Sequence, residues 1–505
     1  MPLKPIKLIG EQKRVLFLQV TEPIQIKGVA GSGKTTVALY RAKHLIDTQS
    51  NLFQEAKVVI FTYNKILVKY INAIKSSISG GYNENNDEIK PTKPIGINGV
   101  NVINFDRWAY HFIEANGIPL YGKTVMGSSQ KNILSSIRDK YSAQIITNKN
   151  IDFFVDEISW MKGQAFQNKE EYLDAKRTGR GTSDRVTKTD KETIWNIYSD
   201  YNNQLVSRDL VDFEDYALLC LKIINSTPNF SRPFSHIIVD EAQDLSKAQI
   251  LVITKLVSEE TKSISIIADA AQRIYKSGFT WSEVGLNVRG GRTIEFKKNY
   301  RNTVPVVNAA ISLLSNEKDK SDFTTVESAR SGTQKPKIAY FESWDEQSDY
   351  LKKELNELKR TNAINSTVIL HRNHSGIRRI KNFLEDKNFE VQELFNPVNI
   401  DFESDTIKLC TLSSVKGLEF DNVFIIDLND DIIPYPEGFN DPDDDFHIST
   451  ERRLLYTSMT RTREKLYLLS SGNPSRYLNE IDEKYLDVVK KRSNNTSSRE
   501  NDLPF

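Results

Sequence analysis

Short apolar runs that end at a turn or a charge recur along this chain, and stretches with a helical period tend to follow them. "PIQIKG" (23–28) leads through glycines into "KTTVALYRAKHLI" (34–46), and "VVIF" (58–61) leads into "KILVKYI" (65–71). "HIIVD" (236–240), "IIA" (266–268), "VILH" (368–371) and "IKLCTL" (407–412) are further runs of this kind. Continuous apolar runs of this length, alternating with helical patterns, predict buried strands of parallel sheets and an α/β fold. Between 108 and 225 the pattern changes. Aromatic and aliphatic residues there keep helical spacing, as in "IDFFVDEISWMKGQAF" (151–166) and "ETIWNIYSDYNNQLV" (192–206), so a mainly helical insertion is expected.

Composition narrows the class without naming it. The 505 residues are enough for two to four domains, and 39% apolar content is that of a globular protein. Sixty-eight basic and 67 acidic residues nearly cancel, so a polyanionic partner must be met by a local groove rather than a global field. The two cysteines, Cys220 and Cys410, sit far apart inside apolar runs. They read as buried structural thiols rather than a disulfide framework or a zinc site. Neither a signal peptide nor a span of ~20 apolar residues is present in the sequence, so a cytoplasmic protein with no membrane partner is expected.

Candidate chemistry begins at the first glycine turn. Gly28, Gly31, Gly33, Lys34 and Thr35 fit G-x-x-x-x-G-K-[ST], between a predicted strand and a predicted helix. In such a loop the backbone N–H groups of residues including Ser32 and Thr36 wrap phosphates, Lys34 reaches the β/γ-phosphates and Thr35 holds Mg²⁺. "HIIVDEAQD" ends a second apolar strand in two carboxylates. Asp240 is expected to share the Mg²⁺, and Glu241 to orient or deprotonate an attacking water. Together the two sites point to hydrolysis of a nucleotide, with ATP and Mg²⁺ as cofactors.

With "DEAQD" (240–244) in place, the chain resembles superfamily 1 helicases, and the remaining motifs follow in order. "LIGEQKRVL" carries Gln12, similar to an adenine-reading glutamine. "VVIFTYNKILVKYI" (58–71) resembles motif Ia, "VNVINFDRWAYHF" (100–112) motif Ib, "IIADAAQRIYKSGFTW" (266–281) motif III and "FKKNYRNTVPVVNAA" (296–310) motif IV. "VILHR" (368–372), "IKLCTLSSVKGLEF" (407–420) and "ERRLLYTSMTRTREKLY" (451–467) resemble motifs IVa, V and VI. The series, from about residue 9 to 478, resembles the UvrD/Rep/PcrA-like branch.

The resemblance implies two RecA-like domains, the first from 1–107 and 226–293, the second from 294–485, with 108–225 as a helical accessory insertion; the polar, low-complexity end makes 486–505 read as a disordered tail. It implies arginine fingers at Arg301 and Arg461, an adenine-stacking Tyr300, a ribose contact from Glu419 and a γ-phosphate sensor at Gln272. DNA contacts are implied at Tyr63, Asn64, Phe105, Tyr275, Phe279 and Ser413. The activity implied is ATP-driven movement, 3′ to 5′, on single-stranded or partly duplex DNA.

The chain also departs from that pattern. Ser277 stands where relatives tend to have a tryptophan, leaving Phe279 and Trp281 either to stack on bases or to pack in the core. Almost nothing separates motif IVa from motif V, where relatives insert a second accessory subdomain that governs unwinding. That places processive unwinding in more doubt than translocation. It also admits a rival reading, a regulatory ATPase subunit of a complex with a partner nuclease, as in antiphage defence, or with a repair or replication protein. "DAKRTGRGTSDRVTKTDK" (174–191) reads as a loop that is either simply solvated or bound to strand phosphates. The terminal Leu503-Pro504-Phe505 is either an arbitrary tail or a docking tip similar to that of single-strand-binding proteins.

Overall fold

The computed structural model describes residues 7–50, 55–63, 65–75, 100–175, 186–272, 279–317, 320, 323–394, 400–402, 404–435 and 445–490. Asn64, Tyr275, residues 176–185 and Leu503-Pro504-Phe505 lie outside them.

The first half of the chain alternates as expected. It runs β1 (Ile24–Gly28), α1 (Lys34–Gln49), β2 (Val58–Thr62), α2 (Lys65–Lys75), β3 (Val100–Asn104) and α3 (Phe105–Ala115). Helices α4 (Ser128–Arg138), α5 (Ile151–Gly163), α6 (Lys169–Asp174), α7 (Lys188–Ser207) and α8 (Asp215–Ser226) follow, then β4 (His236–Asp240), α9 (Lys247–Leu256), β5 (Ser263–Ala268) and β6 (Thr293–Phe296). Among the described residues β1 to β6 form one sheet, ordered β3-β2-β4-β5-β1-β6 and parallel throughout. β6 straddles the expected boundary at 293.

Burial on both faces explains why these strands read as unbroken apolar runs. In β2, Val59 and Phe61 enter one core while Val58 and Ile60 enter the other. Each such side chain contributes about 1.5–3 kcal/mol on burial, so a one-residue register slip would exchange both layers at once. Helices α4 to α7 pack around a core of their own, with Phe154, Trp160, Tyr172 and Tyr201 at its centre. α5 is pinned to the start of α8 by Lys162, whose buried ammonium donates to Asp212 and Asp215 at 2.7 Å each. Cys220 is buried and free, as is Cys410 on the second sheet.

The second half contains β7 (Lys298–Thr303), α10 (Val304–Leu313), β8 (Ser328–Arg330), β9 (Lys337–Tyr340), α11 (Trp344–Arg360), β10 (Thr367–His371), α12 (His374–Asp386) and β11 (Val391–Glu393). β12 (Ile407–Thr411), β13 (Phe420–Ile425), α13 (Asp445–Met459), β14 (Thr462–Ser470) and β15 (Asp487–Lys490) complete it. Its sheet is also parallel, ordered β11-β12-β10-β13-β14-β9-β15 among the described residues, while β7 and β8 pair separately. The expectation of a disordered tail from 486 is corrected at its start. Asp487–Lys490 extend the sheet edge along β9, because "DVV" continues an apolar strand pattern before the polar run begins. No described helix is long and apolar enough to cross a membrane.

Parallel strands put all their carboxyl ends on one edge. β1 therefore delivers the glycine loop, β4 delivers Asp240 and Glu241, and β5 delivers the segment from Asp269 to Gln272 to the same place. The second sheet supplies the opposite wall, and its core includes Ala30, Ile66 and Ala271 from the first.

Candidate nucleotide site

The glycine loop is shaped by two close approaches. Gly31 and Gly33 have φ of +73° and +80°, a region open to glycine and costly for other residues. A Cβ at Gly31 would lie 2.1 Å from Asn299 Oδ1, and one at Gly33 would lie 2.2 Å from Gln12 Nε2. Gly33 caps α1, whose N-terminal amides and dipole favour an anion. Gln12 braces the loop by donating to Ser32 O at 2.7 Å while accepting from Ile9 N–H at 3.0 Å. Tyr300 N–H donates to Gly31 O at 2.9 Å, and its hydroxyl accepts from Glu11 N–H at 3.3 Å. The ring thus lies against the segment that carries Gln12.

Lys34 is buried and donates to Gly28 O (3.0 Å), Val29 O (3.2 Å) and Asp269 Oδ2 (3.1 Å). Thr35 donates from Oγ1 to Asp240 Oδ2 at 3.0 Å. Glu241 sits at φ +55°, a strained backbone for a glutamate, and its own N–H donates to Asp240 Oδ1 at 3.1 Å. Burial, then the neighbouring Glu241, raises the affinity of Asp240 for a proton. Burial would do the same to Glu241, but Lys416, Lys34 and Arg461 outweigh it and hold its carboxyl below the usual range.

The facing wall is cationic. Arg461, 1% exposed, donates through Nη2 to Gln272 Oε1 at 3.1 Å. Burial, with Arg301 nearby, brings its guanidinium down to about 10. Lys416 donates to Asp244 Oδ1 and Gln272 O, both at 2.8 Å, and stands 3.7 Å from Glu241 Oε2. Arg301 donates to Thr460 O at 3.2 Å and pairs with Glu419, whose other oxygen takes Arg463 at 2.7 Å. Burial opposes ionisation of Glu419, yet these two arginines keep it well below the ordinary carboxylate range. The cleft between these walls, about 140 Å³, is lined by Gly31, Gly33, Lys34, Thr35, Thr36, Tyr70, Glu241 and Gln272 and by Arg301, Gly417, Glu419, Arg461 and Arg463.

The residues suit a nucleotide triphosphate with Mg²⁺. Ser32 Oγ, Gln272 Nε2 and Arg301 Nε are buried polar atoms without a hydrogen-bond partner, a costly condition that a bound polar ligand relieves. The donor set for the cation is one hydroxyl and one carboxylate, hard oxygens of the kind that hold Mg²⁺ together with phosphates. Among the described residues no cluster of three or more His, Cys, Asp or Glu offers a site made by protein alone.

The expected strand contacts fare unevenly. Tyr63 lies on the wall of a larger cavity, about 490 Å³, shared with Lys65, Asp106, Trp160, Phe213 and Lys247 where the first sheet meets the helical insertion. Ser413 is half-buried, with its hydroxyl 3.2 Å from Thr411 Oγ1. Phe279 packs edge-on against Trp281 at 5.6 Å, and both lean on the first sheet's core. Phe105 corrects the expectation: at 1% exposure it is a core residue, 6.2 Å from the ring of Phe61. Asn104 caps α3 by accepting Arg107 N–H, and Asp106 rather than Phe105 stands on the cavity wall.

Several site residues were not singled out from sequence. Asp269 had a readable signal, since it ends an apolar strand as Asp240 does. Lys416 and Arg463 lay inside quoted motifs, but only the fold brings Lys416 to Asp244 and Arg463 to Glu419.

Residues 9–282 match the UvrD/REP helicase N-terminal domain, and residues 294–396 and 393–473 match the UvrD-like helicase C-terminal domain. The chain is 25% identical over 381 residues to the ATP-dependent DNA helicase srs2 of Schizosaccharomyces pombe, covering 70% of this chain and 40% of that protein. It is 22% identical over 397 residues to the ATP-dependent DNA helicase PcrA of Leuconostoc citreum, covering 74% and 48%. For the PcrA of Staphylococcus epidermidis the identity is 24% over 375 residues, covering 70% and 46%. The chain thus spans less than half the length of these relatives.

Proposed function

The chain belongs to the UvrD/REP helicase family, and from that premise we propose that it is a Mg²⁺-ATP-driven translocase on single-stranded DNA, moving 3′ to 5′. One observation carries the reading. The phosphate loop and Glu241 of the first half face two arginines of the second half, the half-buried Arg301 on β7 and the buried Arg461 before β14, across a shared cleft, with Arg461 already bonded to Gln272.

In this reading Lys34 and the α1 N-terminus hold the β- and γ-phosphates, and Thr35 and Asp240 hold the Mg²⁺, which neutralises phosphate charge. Glu241 takes the proton of the attacking water. Arg301 and Arg461 stabilise charge on the γ-phosphoryl group, a contribution of about 10³–10⁵ in rate for such fingers. Tyr300 stacks on adenine beside Gln12, and Glu419 turns to the ribose. Because Gln272 touches Arg461 and opens the segment leading to Tyr275 and Phe279, closure of the cleft is transmitted to the strand-contacting face. Tyr63 and Ser413 meet the strand from either sheet.

Only twelve residues separate β11 from Ile407 apart from Leu394, too few for an inserted subdomain, and this favours translocation over processive unwinding. The same feature is the one support for the second reading, a regulatory ATPase subunit that needs a partner. Steady-state ATP hydrolysis, measured with and without single-stranded DNA beside Glu241→Gln, tests both. Strong stimulation by DNA supports the translocase; hydrolysis that appears only with a partner protein supports the subunit.

A further inference from the structure

We propose that Asp269 is a positioning residue that competes with nucleotide phosphate for Lys34 and so reports occupancy of the loop to the Gln272 turn. The inference rests on the reading of Lys34 as the phosphate lysine.

An ammonium group has three protons, and those of Lys34 go to three oxygens: the carbonyls of Gly28 and Val29 and the carboxylate of Asp269. A phosphate that takes a proton from Lys34 must displace one of them. The carbonyls belong to the loop that carries Lys34 and need not move far. Asp269 belongs to another strand, is 3% exposed, and is the charged member of the three. The ion pair it makes is almost dry, with side-chain exposures of 6% and 2%.

The rest of Asp269 is tied to the catalytic wall. Its Oδ1 accepts Ala271 N–H at 3.0 Å, which forms the turn ending at Gln272. Its own N–H donates to Gln243 Oε1 at 3.2 Å, and Gln243 Nε2 donates to Glu241 Oε2 at 2.5 Å. The strand register puts it there: Lys27 and Ala268 are the last residues paired between β1 and β5, so Gly28 and Asp269 follow them side by side.

When Lys34 turns to phosphate, Asp269 keeps only Ala271 N–H as the donor to its carboxylate among these contacts, in a place where an unpaired charge is costly. Two things relieve it. The turn at 270–272 shifts, or the carboxylate takes the hydroxyl of Tyr456, a buried residue of α13 near enough to feel the charge of Asp269. Either response moves Gln272, and with it the contacts to Arg461 and Lys416.

The experiment is titration of a slowly hydrolysed fluorescent ATP analogue with Mg²⁺, without DNA, into the full chain, D269N and D269E. D269N keeps the shape and the Ala271 contact but loses the ion pair, so nucleotide affinity rises, by roughly tenfold if Lys34 spends about nine-tenths of its time on Asp269. D269E restores the charge and returns affinity toward that of the unaltered chain. Affinity unchanged or weakened in D269N overturns the proposal, since general damage lowers affinity; because loss of a negative charge beside the phosphates also raises it, the exchange experiment must agree. Hydrogen exchange on the unaltered chain decides independently of how the variants fold. Nucleotide must change exchange across 263–272 as well as in the loop, and protection confined to the loop overturns the proposal. An unaltered chain that binds no nucleotide sinks the functional reading itself, a different result from either of these.

Discussion

Arg461 and Gln272, 189 residues apart in sequence, meet at 3.1 Å between guanidinium Nη2 and carboxamide oxygen. Gln272 contributes only its oxygen to that bond, for its Nε2 is buried and without a partner, while Arg461 also holds Thr457 O and Thr460 Oγ1. Gln272→Ala should therefore leave the arginine in place and remove the link. Nucleotide affinity is expected to stay within about twofold, while stimulation of kcat by single-stranded DNA falls at least about tenfold, the range of a lost positioning contact. Fluorescence titration and steady-state hydrolysis separate the two, and a parallel loss of binding would refute the link.

Glu241 stands on a left-handed backbone at φ +55°, with Lys416 3.7 Å from its carboxylate and Gln243 donating to it. Glu241→Gln preserves volume and removes the base. The expected loss in kcat is about 10²–10⁴, with nucleotide binding retained. If the variant hydrolyses ATP at the normal rate, another group takes the proton and the assignment fails.

The sequence made the first sheet and the phosphate loop legible because both are local in pattern. Strands buried on both faces are continuous apolar runs, and a loop that must let backbone approach phosphate needs glycine at fixed spacing, as Gly31 and Gly33 show against Asn299 and Gln12. Pairings across the cleft were not legible. Lys416 with Asp244, and Arg463 with Glu419, join residues far apart in the chain whose meeting depends on how two sheets face each other. Phe105 was misplaced for a third reason. An aromatic that opens a helix beside a strand-contacting motif has the same composition whether it points out or in, and only packing against Phe61 and Trp108 in the folded core gives the direction.

Burial of Phe105 makes it a stability position. Phe105→Ala removes a ring held against Phe61 and Trp108 and should cost about 3–5 kcal/mol of unfolding free energy. DNA affinity of the molecules that remain folded should be unchanged, measured well below the unfolding transition. A selective loss of DNA binding, with the denaturation midpoint intact, would restore Phe105 to the strand interface.

His236 opens β4, 1% exposed, with Nδ1 unpartnered. Burial, then the charge of Arg41, brings its imidazole down to about 4 from 6.5. A folded value below the unfolded one means that the unfolded chain binds the extra proton first. Stability that depends on neutral His236 is thus complete above about pH 6.5 and is lost as pH falls toward 4. The full shift corresponds to about 3 kcal/mol, and solvent screening reduces it to about 1–3 kcal/mol. His236→Gln removes the titrating group without emptying the site. Its urea midpoint should therefore fall less between pH 7 and pH 5 than that of the unaltered chain, whatever its stability at neutral pH. Two parallel pH profiles would mean that water or a moving side chain satisfies the imidazolium in the folded state, and that β4 tolerates the charge.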